Sequence, residues 1–115
     1  MNRDQKRYIR DIIEAMDAAS SFVENMTFEE LEGDLRTQYA IERAFSIIGE
    51  AVKKVEDEVR ASYPAIPWKN MAGMRDVIVH GYFAVNLEIV WTTIRDRFPK
   101  ERRLLAQVLE DMESH

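Results

Sequence analysis

An all-α, up-and-down bundle of four to five helices is the fold this sequence predicts, and three observations carry the prediction. Apolar residues recur at alternating steps of three and four through most of the 115 residues, the period of an amphipathic helix. Four glycines and three prolines are the only strong breakers, so long helices follow. No segment alternates apolar and polar residues over a useful length, as a half-buried strand would. A chain of this length makes one domain, residues 1–115, with a single core.

The first helix is expected over about residues 3–24, with Ile9, Ile12, Met16, Ala19 and Val23 as its buried stripe. Its start carries Arg3, Lys6, Arg7 and Arg10, which the helix dipole does not favour. They read as a solvated face or as a basic rim near a polyanion site. Thr27 followed by Glu30 is a capping box for a short helical turn ending at Gly33. Asp34 then caps the longest helix, about residues 35–61, whose stripe is Ile41, Phe45, Ile48, Val52, Val55 and Val59. Ala40, Ala44 and Ala51 widen that seam. Gly49 sits in mid-helix at a cost of about 1 kcal/mol against alanine, for which close helix approach is the expected compensation.

Pro64 and Pro67 break the chain, because two prolines within four residues cannot sit inside a helix. A third helix follows, with Met71, Met74, Val77 and Ile78 on its core face. Val79 points away from that core, an apolar residue left for a partner. Asn86 is a good cap for a fourth helix carrying Leu87, Val90, Trp91, Ile94 and Phe98. Pro99 is expected to close it and to open a fifth, with Leu104, Leu105, Val108, Leu109 and Met112 as its stripe.

Composition narrows the function. A formal net charge of −5 argues against holding nucleic acid by bulk charge, though it leaves room for a local basic cleft. The absence of cysteine excludes disulfides, thiolate metal sites and cysteine nucleophiles. It suits a reducing compartment. The N-terminus lacks the apolar run of a signal peptide, and no apolar run approaches membrane-spanning length. The expected location is the cytoplasm, away from membranes.

Chemistry concentrates in Arg75-Asp76-Val77-Ile78-Val79-His80-Gly81-Tyr82. Histidine titrates near neutral pH and can serve as base or acid. Arginine keeps its charge and offers a fork that matches two phosphate oxygens. Such a pair can cleave a phosphodiester through the neighbouring ribose 2′-hydroxyl without a metal or other cofactor. Asp76, one helical turn before His80, could fix the imidazole tautomer. A metal site would want more clustered carboxylates or a second nearby histidine.

One geometric difficulty stands. Residues five apart on a helix differ by about 140° in direction, so Arg75 and His80 do not converge on their own. Either the helix unwinds near Gly81, or a second subunit completes the site around a two-fold axis. The outward Val79 favours the dimer. On spacing alone a plainer reading stays open, with Arg75 and Asp76 as surface charges, His80 at a helix end and Tyr82 in the core.

Arg75-x-x-x-x-His80-x-Tyr82, with polar Asp76 after the arginine, resembles the signature of the HEPN ribonucleases. More narrowly it resembles HepT, the toxin of the HepT/MntA (MNT–HEPN) toxin–antitoxin pairs. The segments Arg36 to Ala44 and Ile47 to Ala51 look like that family's second helix, and Trp68 and Asn86 to Trp91 also fit. The resemblance covers about residues 8–98. It implies a HEPN-like helical homodimer with a composite site at the interface. It also implies a metal-independent endoribonuclease with Arg75 and His80 as catalytic pair and Asp76 in support. The same resemblance implies a nucleotidyltransferase antitoxin (MntA-like) that transfers AMP to Tyr82. Gly81 departs from the glutamate of some members, at a position between motif residues. The alternative is a non-catalytic helical module that docks a nucleotidyltransferase or nucleotide.

Elsewhere Arg95, Arg97, Lys100, Arg102 and Arg103 cluster around Pro99, either as a solvated patch or as a contact for RNA or a partner. Glu50 and Lys54 read as an ordinary i,i+4 pair. The two tryptophans read as core rather than as base-stacking platforms.

Overall fold

The computed structural model describes residues 3–79 and 86–114, with the backbone alone for Arg3 and 77–79. All regular elements among the described residues are helical, as the periodicity requires. Helix α1 (Arg3–Val23) and helix α3 (Leu35–Lys54) form the most extensive pair. The expected stripes meet there: Ile9, Ile12, Met16, Ala19 and Val23 are at most 1% exposed, and Ile41, Ile48 and Val52 are fully buried. Each of the larger side chains, Ala19 apart, contributes about 1.5–3 kcal/mol by leaving water, which makes this seam the spine of the fold.

Between them runs α2 (Phe28–Glu32), with its capping box formed. The Glu30 N–H donates to Thr27 Oγ1 at 3.1 Å, and the Thr27 N–H donates to Glu30 Oε1 at 3.0 Å. Asp34 caps α3 by accepting from the Thr37 N–H at 3.0 Å and the Thr37 hydroxyl at 2.8 Å. Those bonds hold its carboxyl below the usual carboxylate range.

The long second helix does not run to residue 61. It ends at Lys54, Val55 is extended (φ −70°, ψ 130°), and α4 (Asp57–Ser62) restarts the chain. No glycine or proline marks this break. Side chains from elsewhere make it possible by satisfying the helix-end groups. Buried Gln5 of α1 donates to the Lys54 carbonyl at 3.4 Å and accepts from the Glu56 N–H at 2.9 Å. Arg60 donates to the carbonyls of Val52 at 2.6 Å and Val55 at 3.1 Å. The Glu50–Lys54 ion pair does not form. The Lys54 ammonium stands over the Tyr8 ring instead, 5.8 Å from its centroid.

After the proline break, the expected third helix is two short ones, α5 (Trp68–Ala72) and α6 (Met74–Val79), hinged at Gly73. Trp68 donates its indole N–H to the Tyr63 carbonyl at 3.0 Å, and Met71 and Met74 are buried as expected. The expected directions of Val77, Ile78 and Val79 concern side chains outside the described residues.

The fourth and fifth helices are continuous. Helix α7 (Leu87–Thr92) passes through a π-helical turn (Thr93–Arg97) into α8 (Phe98–Glu113), so Pro99 does not break the chain. Proline clashes with the carbonyl four residues back and lacks an N–H. Here the register has already widened, with the Phe98 N–H bonding the Thr93 carbonyl, and Pro99 enters at the first turn of α8. Asn86 stands at the cap position without a side-chain cap bond. The α8 stripe is Phe98, Glu101, Leu105, Val108 and Met112, while Leu104 lies 38% exposed on its flank. No described helix is long and apolar enough to cross a membrane.

Candidate active site

The motif begins on α6, which lies against α3 at a point set by one absent side chain. A Cβ on Gly49 would stand 2.7 Å from Arg75 Cβ, 3.0 Å from Arg75 N and 3.2 Å from the Ala72 carbonyl oxygen. Real Cβ atoms do not approach so closely. Gly49 is buried in α3, so the glycine lets the backbone carrying Arg75 touch α3 directly. The expected close approach is therefore made to the motif arginine. One turn further along α3, Lys53 Nζ reaches Asp76 Oδ1 at 4.0 Å. Both groups are well exposed, so this pair adds little stability.

Arg75 and Asp76 are both exposed on α6. His80, Gly81 and Tyr82 lie outside the described residues. Of the eight-residue motif, the structure thus brings Arg75 and Asp76 together on one surface beside α3. Among the described residues no group of three or more His, Asp or Glu side chains could hold a metal ion.

A cleft of about 690 Å³ opens next to this surface, where α3, α5, α6, α7 and the π-helical turn meet. Asp76, Lys53, Lys69 and Arg97 supply charge to its lining, and Met74, Ile89 and Phe45 supply apolar wall. Ile89 is 63% exposed, the most exposed large apolar residue among those described. The cleft falls within the size range of small-molecule sites.

The basic cluster around Pro99 divides. Arg102 grips Asp17 with two bonds of 2.6 and 3.1 Å, and Arg95 covers the Trp91 ring at 4.9 Å. Trp91 also meets Phe28 edge to face, while Trp68 is core. Arg97 alone of the five lines the cleft. Its Nε donates to Glu101 Oε2 at 3.0 Å, and Glu101 is only 5% exposed. Burial pushes the Glu101 carboxyl above the usual carboxylate range, with Arg97 pulling it back. The other oxygen, Oε1, has no hydrogen-bond partner among the described residues. Glu101 was not singled out in the sequence. The available signal was its position: it occupies a slot of the α8 stripe between Phe98 and Leu105.

A helical bundle with a motif arginine and carboxylate beside a partly basic cleft defines a class of candidate polyanion-processing proteins. Comparison makes the class particular. The family model described as "HepT-like: Ribonuclease HepT-like" matches residues 12–108. "Probable ribonuclease HepT" of Thermococcus cleftensis is 39% identical over 99 residues, 86% of this chain and 90% of the relative. "Putative RNase MJ1216" of Methanocaldococcus jannaschii is 40% identical over 111 residues, 96% of this chain and 92% of the relative. No solved structure matches the chain. The chain belongs to the HepT-like ribonuclease family.

Proposed function

We propose that this protein is the toxin of a type VII-like toxin–antitoxin pair, a metal-independent endoribonuclease that acts as a homodimer. The observation that carries the reading is family membership in a ribonuclease class, with Arg75 exposed on α6 and seated on Gly49. His80 takes the proton from a ribose 2′-hydroxyl, whose oxygen then attacks the adjacent phosphorus. The P–O5′ bond breaks as the leaving oxygen gains a proton, giving a 2′,3′-cyclic phosphate and a 5′-hydroxyl. Arg75 stabilises the charge that builds on the phosphorane oxygens, the kind of contribution that supplies much of such catalysis. Asp76 supports the pair from the same surface. Because residues five apart on an ideal helix differ by about 140° in direction, two protomers share the work, each facing the other's motif.

Tyr82 is the switch. A nucleotidyltransferase antitoxin moves AMP from ATP onto the Tyr82 phenol oxygen, releasing pyrophosphate. The added negative charge and bulk repel the substrate phosphate.

The test is cleavage of single-stranded RNA by purified, unmodified dimer in chelator. Arg75→Ala and His80→Ala are each expected to lower the rate by on the order of 10²–10³ or more, with dimer mass and melting temperature kept. Undiminished cutting by either variant overturns the assignment. Intact mass after co-expression with a nucleotidyltransferase tests the switch. The native chain gains AMP, and a Tyr82→Phe chain that gains as much refutes the acceptor.

A further inference from the structure

The cleft beside α6 carries features that the cleavage chemistry does not use. Lys53, Lys69 and Arg97 place three cations in its lining against the single carboxylate of Asp76. In a chain of formal net charge −5 this is a local reversal of sign. Lys69 is exposed and makes no ion pair among the described residues.

Arg97 is the unusual member. It sits at the end of the π-helical turn, a wide-turn geometry that re-aims side chains and recurs at functional sites. Its Nε is taken by the buried Glu101 carboxylate. Its two terminal amino groups have no partner among the described residues, and they are the ones that match a phosphate in a forked contact. Keeping Glu101 buried with Oε1 unpartnered is unfavourable for folding. That arrangement makes sense as a device that holds Arg97 in one orientation. In the same lining Met74 and exposed Ile89 give an apolar wall, against which the apolar face of a nucleobase can be buried. Met74 and Asp76 line the cleft and flank Arg75 in the chain, so it adjoins the surface where the scissile phosphate would sit.

We propose that this cleft is a subsite for the nucleotide next to the scissile phosphodiester of single-stranded RNA. Arg97, oriented by Glu101, grips the neighbouring phosphate, Lys69 and Lys53 add charge, and Ile89 with Met74 receives the base. The proposal rests on the ribonuclease reading above.

The experiment measures binding apart from cleavage. A fluorescent single-stranded oligonucleotide with 2′-deoxy sugars lacks the internal nucleophile, and its affinity for the full chain is read by anisotropy across a salt series. Arg97→Gln is expected to weaken binding about tenfold and to lower the salt slope by about 0.7, the loss of one phosphate contact on a single strand. Lys69→Gln and Ile89→Asp, at exposed positions that cannot unfold the core, are each expected to weaken binding at least threefold. Lys100→Gln, an exposed cation outside the cleft, should change it less than twofold. Should Arg97→Gln fail to fold with Glu101 left unpaired, the Arg97→Gln/Glu101→Gln double variant and the two surface variants decide. Wild-type affinity in the folded cleft variants, with RNA still cleaved by the native chain, overturns the subsite and leaves the ribonuclease reading intact. A native chain that neither binds the oligonucleotide nor cleaves RNA overturns both.

Discussion

Helix α3 packs on two sides by opposite means. Toward α1 it presents volume: Ile41, Ile48 and Val52 are fully buried against Ile9, Ile12 and Met16. Toward α6 it presents an absence, Gly49, where any Cβ would collide with Arg75. The first seam holds the molecule together through apolar area. The second brings the backbone of α6 against α3 and fixes where the Arg75 side chain starts. Stability and positioning therefore divide between two faces of one helix, and substitutions can separate them.

The largest effect is expected in the volume seam. Ile48→Ala removes a fully buried side chain and should lower unfolding free energy by about 2–5 kcal/mol in a denaturant titration. Activity per folded molecule should stay near the native value. A loss of activity far exceeding the unfolded fraction would dissolve the contrast between the seams.

Gly49→Ala tests the other face. Alanine gains about 1 kcal/mol of helix propensity, while the contact at 2.7 Å must relax by moving Arg75 and α6. The two terms oppose, and overpacking costs about 1–3 kcal/mol, so the net change in melting is small. Misplacing a catalytic group by about an ångström costs on the order of 10²-fold in rate. On the proposed ribonuclease reading, a folded Gly49→Ala protein is therefore expected to lose RNA cleavage by about 10- to 100-fold, mostly in kcat. Gly33→Ala, away from the cleft, is the control, since its Cβ would meet nothing nearer than 3.8 Å. Full activity in Gly49→Ala would show that the approach serves packing alone.

A smaller effect concerns pH. Burial raises the Glu101 carboxyl above the usual carboxylate range. The folded state then holds its proton more tightly than the unfolded state. Its contribution is thus most favourable below the unfolded pKa and is lost as pH rises through the raised one. Glu101→Gln should flatten the stability–pH curve in that window. An unchanged curve, followed by chemical denaturation from the usual carboxylate range upward in pH, would remove Glu101 as its source.

The smallest effects belong to the surface. Thr27→Ala opens the capping box and should cost about 1 kcal/mol. Arg102→Ala removes an exposed ion pair with Asp17 and should cost less than about 1 kcal/mol. Thermal melting of both variants checks that neither seam is involved.

Much of the fold was legible because periodicity is a local property. The stripe of α1 and that of α3 from Ile41 to Val52 appear in the structure, as do the Thr27 box and the Asp34 cap, while Val55 and Val59 are buried beyond the end of α3. The break after Lys54 was not legible, since the groups that satisfy it come from Gln5, 51 positions from Glu56 in the chain, and from Arg60. The passage through Pro99 was missed for a related reason. A proline is a breaker by default, and only the widened turn before it makes room. The motif was legible as a run of residue types, and Gly49 as a suspected close approach. What the glycine approaches was not.

The sequence by itself determined the helical class, the core stripes and the family, because each rests on residue types at fixed short spacings. Tertiary structure alone decided that Gly49 seats Arg75, that buried Glu101 holds Arg97, and that α3, α6 and the π-helical turn enclose one cleft. Gly49 and Arg75 lie on different helices, and the cap contact of Gln5 with Glu56 spans 51 positions. Contacts at such separations depend on how whole helices dock, a global minimum of packing and charge that no local pattern specifies.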